Sequence, residues 1–310
     1  MTKKRFFSLR TLGLGVIWGI SSVFTPATAQ QMLVGSYNIR YKNAGDSING
    51  NAWVQRCRVI CDQVNFMSPD IFGAQEVLHE QLNDLICGLD GYSYIGVGRD
   101  DGKEAGEYAA IFYKKDHVQL LDHGNFWLSE TPDVPALGWD AACVRICTWG
   151  KFASEKATPF YFFNLHMDHV GKVARREAAK LVVEKIREIA EPESLVILTG
   201  DFNVDQNDEI YRIFTDSGIL KDCYEHARLR FAENGTFNGF KSEFFSESRI
   251  DHVFVSPQTE VEAYGVLTNC YWVPEESQQL KSTDAPQEIS FRRYQRRLPS
   301  DHYPVFVRLK

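Results

Sequence analysis

Two stretches of helical periodicity each lie between strand-length apolar runs, and this repeated strand, helix, strand order constrains the fold more than any other feature of the chain. In the first unit, residues 32–39 and 69–75 read as strands, and between them Trp53, Cys57, Ile60, Cys61 and Val64 fall at helical spacing within residues 53–67. In the second, Ala174, Ala178, Leu181, Val182, Ile186 and Ile189 form one apolar stripe, with Arg175, Arg176, Glu184, Lys185 and Arg187 mostly off it. Pro192 stops that helix, and residues 195–198 follow as a buried strand. Between the units, a helix is expected at 77–89, then strands at 92–97, 108–113, 118–127, 144–152 and 160–165, whose short connections favour antiparallel pairing. A shorter helix at 207–216 and late strands at 249–255 and 303–309 complete two similar halves, each a sheet covered by helices.

The first 29 residues read as an export signal. Lys3, Lys4, Arg5 and Arg10 precede an apolar stretch that ends in Ala27-Thr28-Ala29, and the small residues suit cleavage before Gln30. Gly13, Gly15 and Gly19 interrupt the stretch, which is short for a membrane span of about 20 residues. An uncleaved N-terminal anchor is the alternative. The expected product is periplasmic or secreted, a single domain over residues 30–310, and a monomer. Cleavage leaves 30 of the 34 Lys and Arg against 41 Asp and Glu, a formal charge of −11. Holding long nucleic acid by counterion release calls for the opposite balance, so no stable nucleic-acid binding is expected, and an anionic substrate must be met by a few local cations.

Seven cysteines, an odd number, leave at least one thiol unpaired, and buried free thiols are the simplest expectation. Residues 272–300 read as a long loop, in which Arg292, Arg293, Arg296 and Arg297 either contact a phosphorylated substrate or form a solvated face.

Six short segments carry the chemistry: Ser36-Tyr37-Asn38-Ile39-Arg40, Ala74-Gln75-Glu76, Asn164-Leu165-His166-Met167-Asp168-His169, Gly200-Asp201-Phe202-Asn203, Arg249-Ile250-Asp251-His252 and Ser300-Asp301-His302. Most close an apolar run, where a strand leaves a packed sheet and its last side chains face a common mouth. Hydrolysis of a phosphoester needs help for water approaching an anionic phosphorus and for the departing oxygen, and a hard cation serves both. Mg2+ takes oxygen ligands and keeps several waters; Asn38, Glu76 and Asp301 fit that demand, with Mn2+ able to substitute. Asp201 and Asn203 share a face if their strand continues through them. His302 can take or stabilise a proton, with Asp251 as its orienting partner. His166 and Asn164, also on one strand face, can bind non-bridging oxygens or help the leaving oxygen depart. Each residue alone has an ordinary structural explanation; their joint occurrence points to a site.

In order and wording these segments resemble the endonuclease/exonuclease/phosphatase superfamily of magnesium-dependent phosphohydrolases, over residues 33–308. The resemblance implies a deoxyribonuclease-like four-layer α/β sandwich, with two central mixed, largely antiparallel sheets flanked by helices and the site at one edge. It also implies Asn38, Glu76 and Asp301 at the metal, His166 at the phosphate, Asp201 and Asn203 orienting water and phosphate, and Asp251 with His302 as a carboxylate and histidine couple. The wording of Glu107-Tyr108-Ala109-Ala110-Ile111-Phe112-Tyr113, Gly138-Trp139-Asp140 and Arg145-Ile146-Cys147-Thr148-Trp149 is similar to an exported bacterial branch related to deadenylase-like proteins. Arg145 and Glu107 then become expected phosphate contacts or supports.

The expected function is therefore a Mg2+-dependent phosphoesterase acting on a phosphodiester or phosphomonoester by in-line attack of water, with nucleic acid or nucleotide as the default substrate. A sphingomyelinase-like phospholipid phosphodiesterase is the first alternative. It needs exposed aromatics, for which Phe244-Phe245 and Tyr271-Trp272 are the available pairs, although core packing explains paired aromatics more simply. A non-catalytic binding protein is the second alternative; its sign would be a missing carboxylate or histidine, and none is missing.

Overall fold

The computed structural model describes residues 31–155, 157–275, 284 and 286–310; the expected export signal lies outside them. In chain order the elements are β1 (Met32–Asn38), α1 (Ala44–Ile48), α2 (Trp53–Met67), β2 (Ile71–Val77), α3 (His79–Gly88), β3 (Tyr92–Ile95), β4 (Tyr108–Lys114), β5 (Val118–Trp127), β6 (Ile146–Ser154) and β7 (Ala157–His166). There follow α4 (Lys172–Ile189), β8 (Leu195–Asp201), α5 (Glu209–Thr215), β9 (Lys221–Asp222), α6 (Cys223–His226), β10 (Leu229–Phe231), β11 (Asp251–Val255), β12 (Val261–Val266), β13 (Tyr271–Pro274), β14 (Tyr294–Arg297) and β15 (Val305–Leu309).

The strands form a seven-stranded sheet in the order β10-β12-β15-β1-β2-β4-β3 and a six-stranded sheet in the order β5-β6-β7-β8-β11-β9. Each repeated unit contributes a parallel pair, β1 with β2 across α2 and β7 with β8 across α4, because a strand, helix, strand crossover returns the chain in the same direction. The other neighbours pair antiparallel, except the short parallel edge strand β10 beside β12.

Three apolar cores separate four layers. Val34, Ile71 and Ile111 of one sheet meet Phe152, Phe160, Phe162 and Ile197 of the other in the central core. The outer face of the seven-stranded sheet packs on α2 and α3 through Ile60, Val64, Leu82 and Leu85, and that of the six-stranded sheet on α4 and α5 through Ala178, Val182, Ile186 and Phe214. The buried stripe of α4 is shifted from the expected one: Ala179 and Val183 are buried, while Leu181 and Ile189 are only half so.

Residues 272–300 are not simply a loop. Within them β13 pairs with β14 as a separate two-stranded ribbon, Trp272 opposite Arg296, because Tyr271, Trp272 and Val273 favour extended backbone and the arginines tolerate an exposed strand. Phe244, Phe245 and Trp272 are about 60% exposed, so core packing does not account for them. All seven cysteines are free thiols; Cys61, Cys147 and Cys223 are buried and Cys87 is exposed. Among the described residues no helix is long and apolar enough to cross a membrane.

Candidate active site

The strands that carry site residues meet at one edge of the sandwich. Asn38 ends β1, His166 ends β7, Asp201 ends β8 and Asp251 begins β11. Register does the rest within the six-stranded sheet, setting Asp201 between His166 on one side and Asp251 on the other. From the opposite sheet, β2 brings Glu76. A one-residue bulge between Ala74 and Val77 and a left-handed backbone at Glu76 (φ 61°) turn that side chain out of the regular alternation. Arg40 and Asn203 are also left-handed, at φ 59° and 51°. Three such residues at one mouth each cost about 1–3 kcal/mol, which the surrounding hydrogen bonds must offset.

Asn38 is the hub of the buried polar network. Its amide nitrogen donates to Glu76 Oε1 at 3.1 Å and Asp201 Oδ2 at 3.0 Å and lies 3.4 Å from His302 Nε2. Its oxygen accepts the Arg40 backbone N–H at 3.0 Å, which fixes the amide's orientation. Asn38, expected as a metal ligand, here bridges the carboxylates of Glu76 and Asp201. Glu76 Oε2 accepts the Tyr41 N–H, and Arg40 Nη1 stands 3.9 Å from Glu76 and 3.5 Å from Asp301.

His302 Nδ1 bonds Asp251 Oδ2 at 2.8 Å, and its Nε2 faces Asp201 at 3.6 Å. Burial alone would lower the imidazole pKa, but the carboxylates of Asp251 and Asp201 drive it well above the ordinary value. Burial pushes Asp201 up to about 7, against the pull of His302. Burial likewise raises Asp301.

His166 behaves oppositely. Burial, reinforced by Arg145 and Arg99, holds it well below the ordinary value, so it is neutral. Its Nε2 lies 3.2 Å from the Asn203 amide nitrogen, which also donates to Met167 O. Asn203 does not reach this place by strand alternation, since β8 ends at Asp201; a turn closed by the Asn203 N–H on Asp201 Oδ1 brings it round. Glu107, raised by burial, is ion-paired to Arg99 at 2.6 Å and stands 3.9 Å from His166 Nδ1.

These groups line a cleft of about 960 Å³. Glu76, Glu107, Arg145, His166, Asp201, Asn203, Asp301 and His302 all face it, while Asn38 and Asp251 support it from beneath. Asn164 is elsewhere. Its amide is consumed between the sheets, donating to Ala74 O and Ala110 O and accepting from Gln75 and Thr199, in a space that exists because Gly73 has no side chain. Strand alternation identified its face correctly, but the facing sheet, not a ligand, receives it.

Sequence reasoning gave no role to Arg40, Arg99, His169 or Phe237, which also line the cleft, nor to Asp168. Asp168 accepts four backbone N–H groups and positions Arg145, whose Nη2 reaches His169 and whose Nη1 is buried without a partner. Arg40, Asp168 and His169 sat inside the chemistry-bearing segments and were visible there; Arg99 carried no signal.

The donor set suits a divalent cation. Glu76, His166 and Asp201 each present an atom within 4.8 Å of the other two, and Asp201, Asp251 and His302 do the same. Four buried carboxylates, Glu76, Asp201, Asp251 and Asp301, are met here by Arg40 and His302, and so much buried negative charge calls for further compensation.

The profile of the Endonuclease/Exonuclease/phosphatase family matches residues 35–302. Among solved structures, a mannosyl-6-phosphatase of Bacteroides thetaiotaomicron VPI-5482 is 49% identical with a TM-score of 0.83, covering 90% of this chain and 99% of that one. An endonuclease/exonuclease/phosphatase from Bacteroides vulgatus is 38% identical with a TM-score of 0.76, over 90% and 98%. The human Nocturnin catalytic domain with bound sulfate, at 16% identity and a TM-score of 0.63 over 91% and 93%, shares the fold. Curated matches include two uncharacterized proteins of Acanthamoeba polyphaga mimivirus. One is 28% identical over 161 residues, 49% of this chain; the chain spans 60% of that protein and 35% of the other.

Proposed function

This chain belongs to the endonuclease/exonuclease/phosphatase family, and from that premise we propose that it is a Mg2+-dependent phosphomonoesterase that removes phosphate from phosphorylated sugars outside the cytoplasm. The observation that carries the reading is the Asn38 amide, which gathers Glu76 and Asp201 into one buried cluster, with His302 facing Asp201 and Asp251 behind it. The 49% identity to a mannosyl-6-phosphatase favours a sugar phosphate over the nucleotide expected from sequence, and the excess of acidic residues disfavours long nucleic acid.

Glu76 and Asp301 would hold the cation, with Asp201 and His166 adjoining. The bound ion supplies positive charge to the phosphoryl oxygens and the departing oxygen. Asp201, its carboxylate poised near neutrality, accepts the proton of the attacking water. Asp251 fixes His302 in one orientation, and the His302 imidazolium stabilises the charge that develops on the phosphoryl group. Neutral His166 and Asn203 orient phosphoryl oxygens, and the free Nη1 of Arg145 offers a further donor.

Phosphate release from mannose 6-phosphate, AMP and bis(p-nitrophenyl) phosphate, each with Mg2+ and then with chelator, tests the proposal. Release from the sugar phosphate in preference to the others, abolished by chelator, is expected; hydrolysis of the diester alone would overturn it. The exposed Phe244, Phe245 and Trp272 favour, as a second reading, a phospholipid phosphodiesterase. Flotation with sphingomyelin liposomes, together with cleavage of that lipid, would establish it.

A further inference from the structure

Arg56 has no place in the chemistry above, yet it is a fully buried cation on α2 that makes no ion pair among the described residues. A buried charge costs several kcal/mol unless it is well bonded, so its partners matter. All four of its hydrogen bonds go to backbone carbonyls: Nε to Asn51 O at 2.8 Å, Nη1 to Ile39 O at 2.7 Å and Pro299 O at 3.0 Å, and Nη2 to Arg40 O at 3.1 Å. Trp53 and Phe240 flank the guanidinium, their ring centroids 5.3 and 5.5 Å from its central carbon.

Asn51 lies just before α2 itself, but the other three acceptors belong to two segments far apart in the chain. Ile39 and Arg40 directly follow Asn38; Pro299 directly precedes Ser300, Asp301 and His302. Further side-chain contacts link these segments, among them Ser300 Oγ donating to Asn38 O at 2.7 Å and Arg40 Nη1 facing Asp301 at 3.5 Å, but neither of these holds carbonyls of both at once. Arg40 is also left-handed, and its carbonyl is held by Arg56 and by Gln81 Nε2 at 3.0 Å. A planar fork of five donors can grip carbonyls from both segments at once, which neither lysine nor an apolar residue of equal volume can do.

We infer that Arg56 is a positioning residue: it sets the spacing between the Asn38-Ile39-Arg40 turn and the Ser300-Asp301-His302 turn, and thereby the geometry of the catalytic cluster. The inference rests on the proposed phosphatase reading for its kinetic consequence, but not for its structural one. Displacing reacting groups by about 1 Å costs about a hundredfold in rate, so a loosened turn should depress kcat more than KM.

Three measurements on the full chain test it. In Arg56→Lys, amide hydrogen exchange should accelerate in residues 38–42 and 299–303 while the sheet cores keep their protection; this readout needs no substrate. With p-nitrophenyl phosphate and Mg2+, kcat should fall about ten- to a hundredfold, with KM changed less than about threefold. In Arg56→Ala, millimolar guanidinium should restore at least about tenfold of the lost kcat by refilling the vacated fork. Unchanged exchange in the two turns of Arg56→Lys overturns the inference, as does an Arg56→Ala variant that loses activity only in proportion to its unfolded fraction with no gain from guanidinium. Should the exchange result hold while no phosphoester is cleaved by the wild type, the positioning role stands and the phosphatase reading fails.

Discussion

Replacing Asp168 should destabilise the protein strongly although the residue does not line the cleft. Oδ1 accepts from Val170 N at 2.9 Å and Gly171 N at 2.7 Å, at the start of α4; Oδ2 accepts from Ala142 N at 3.1 Å and Cys143 N at 3.2 Å and lies 3.5 Å from Arg145 Nε. Val170 and Ala142 are exposed, so water replaces the carboxylate there in Asp168→Ala. Gly171 is buried and has no such recourse, and Arg145, 5% exposed at the cleft wall, has little. One orphaned buried N–H costs about 1–3 kcal/mol, and an uncompensated buried cation about 3–5 kcal/mol; partial relaxation brings the sum to about 4 kcal/mol. For a domain of this size that lowers Tm by ~10 °C. Asp168→Asn preserves the shape but turns an NH2 toward donors on one side, so it should lose nearly as much, ~3 kcal/mol. Calorimetry and urea melts would check both variants. An Asn variant melting within about 1 °C of wild type would refute the reasoning, because shape rather than acceptor capacity would then suffice.

The same carboxylate makes a pH prediction. Burial alone would raise its pKa, but the N–H groups of Gly171, Val170 and Ala142, with Arg145, hold it down at about 2. A depressed carboxylate stabilises the fold fully above its unfolded value of about 4 and loses that contribution as pH falls through about 2. Asp168→Ala should therefore show a shallower loss of stability than wild type across that window in acid melts.

Asn164→Ala should cost about 2–4 kcal/mol in urea denaturation with the cleft chemistry intact, since it strands Ala74 O, Ala110 O and the Gln75 amide between the sheets; a loss below about 0.5 kcal/mol would mean water enters there. Asp251→Asn should lower kcat about a hundred- to ten-thousandfold and lower the His302 pKa, read by NMR titration of the imidazole, because the bond at 2.8 Å then lacks its charge. Wild-type turnover in that variant would remove the couple from the mechanism. With a thiol reagent on the native protein, Cys87 should react first and Cys147 and Cys223 only on unfolding, as burial raises both of their pKa values; early labelling of Cys223 would contradict the packing.

Much of this protein was legible locally. An apolar run ending in a polar residue is a short-range pattern, so the sequence alone located β1, β2, β7 and β8, the crossover helices between them, and the residues at the strand ends. Near-neighbour information also singled out Glu76, His166, Asp201 and His302, which the structure brings to one cleft. Only the tertiary structure decided which way each polar group turned. Asn164 meets Gln75 across 89 residues, Asn38 meets Asp201 across 163, and Arg56 reaches Pro299 across 243. At those separations no period of two or of 3.6 carries information about the partner. The direction of the Asn38 amide, the burial of Asn164 between the sheets and the grip of Arg56 on two turns follow from which backbone groups the opposite segment leaves unpaired, and that is settled only when the two sheets close on each other.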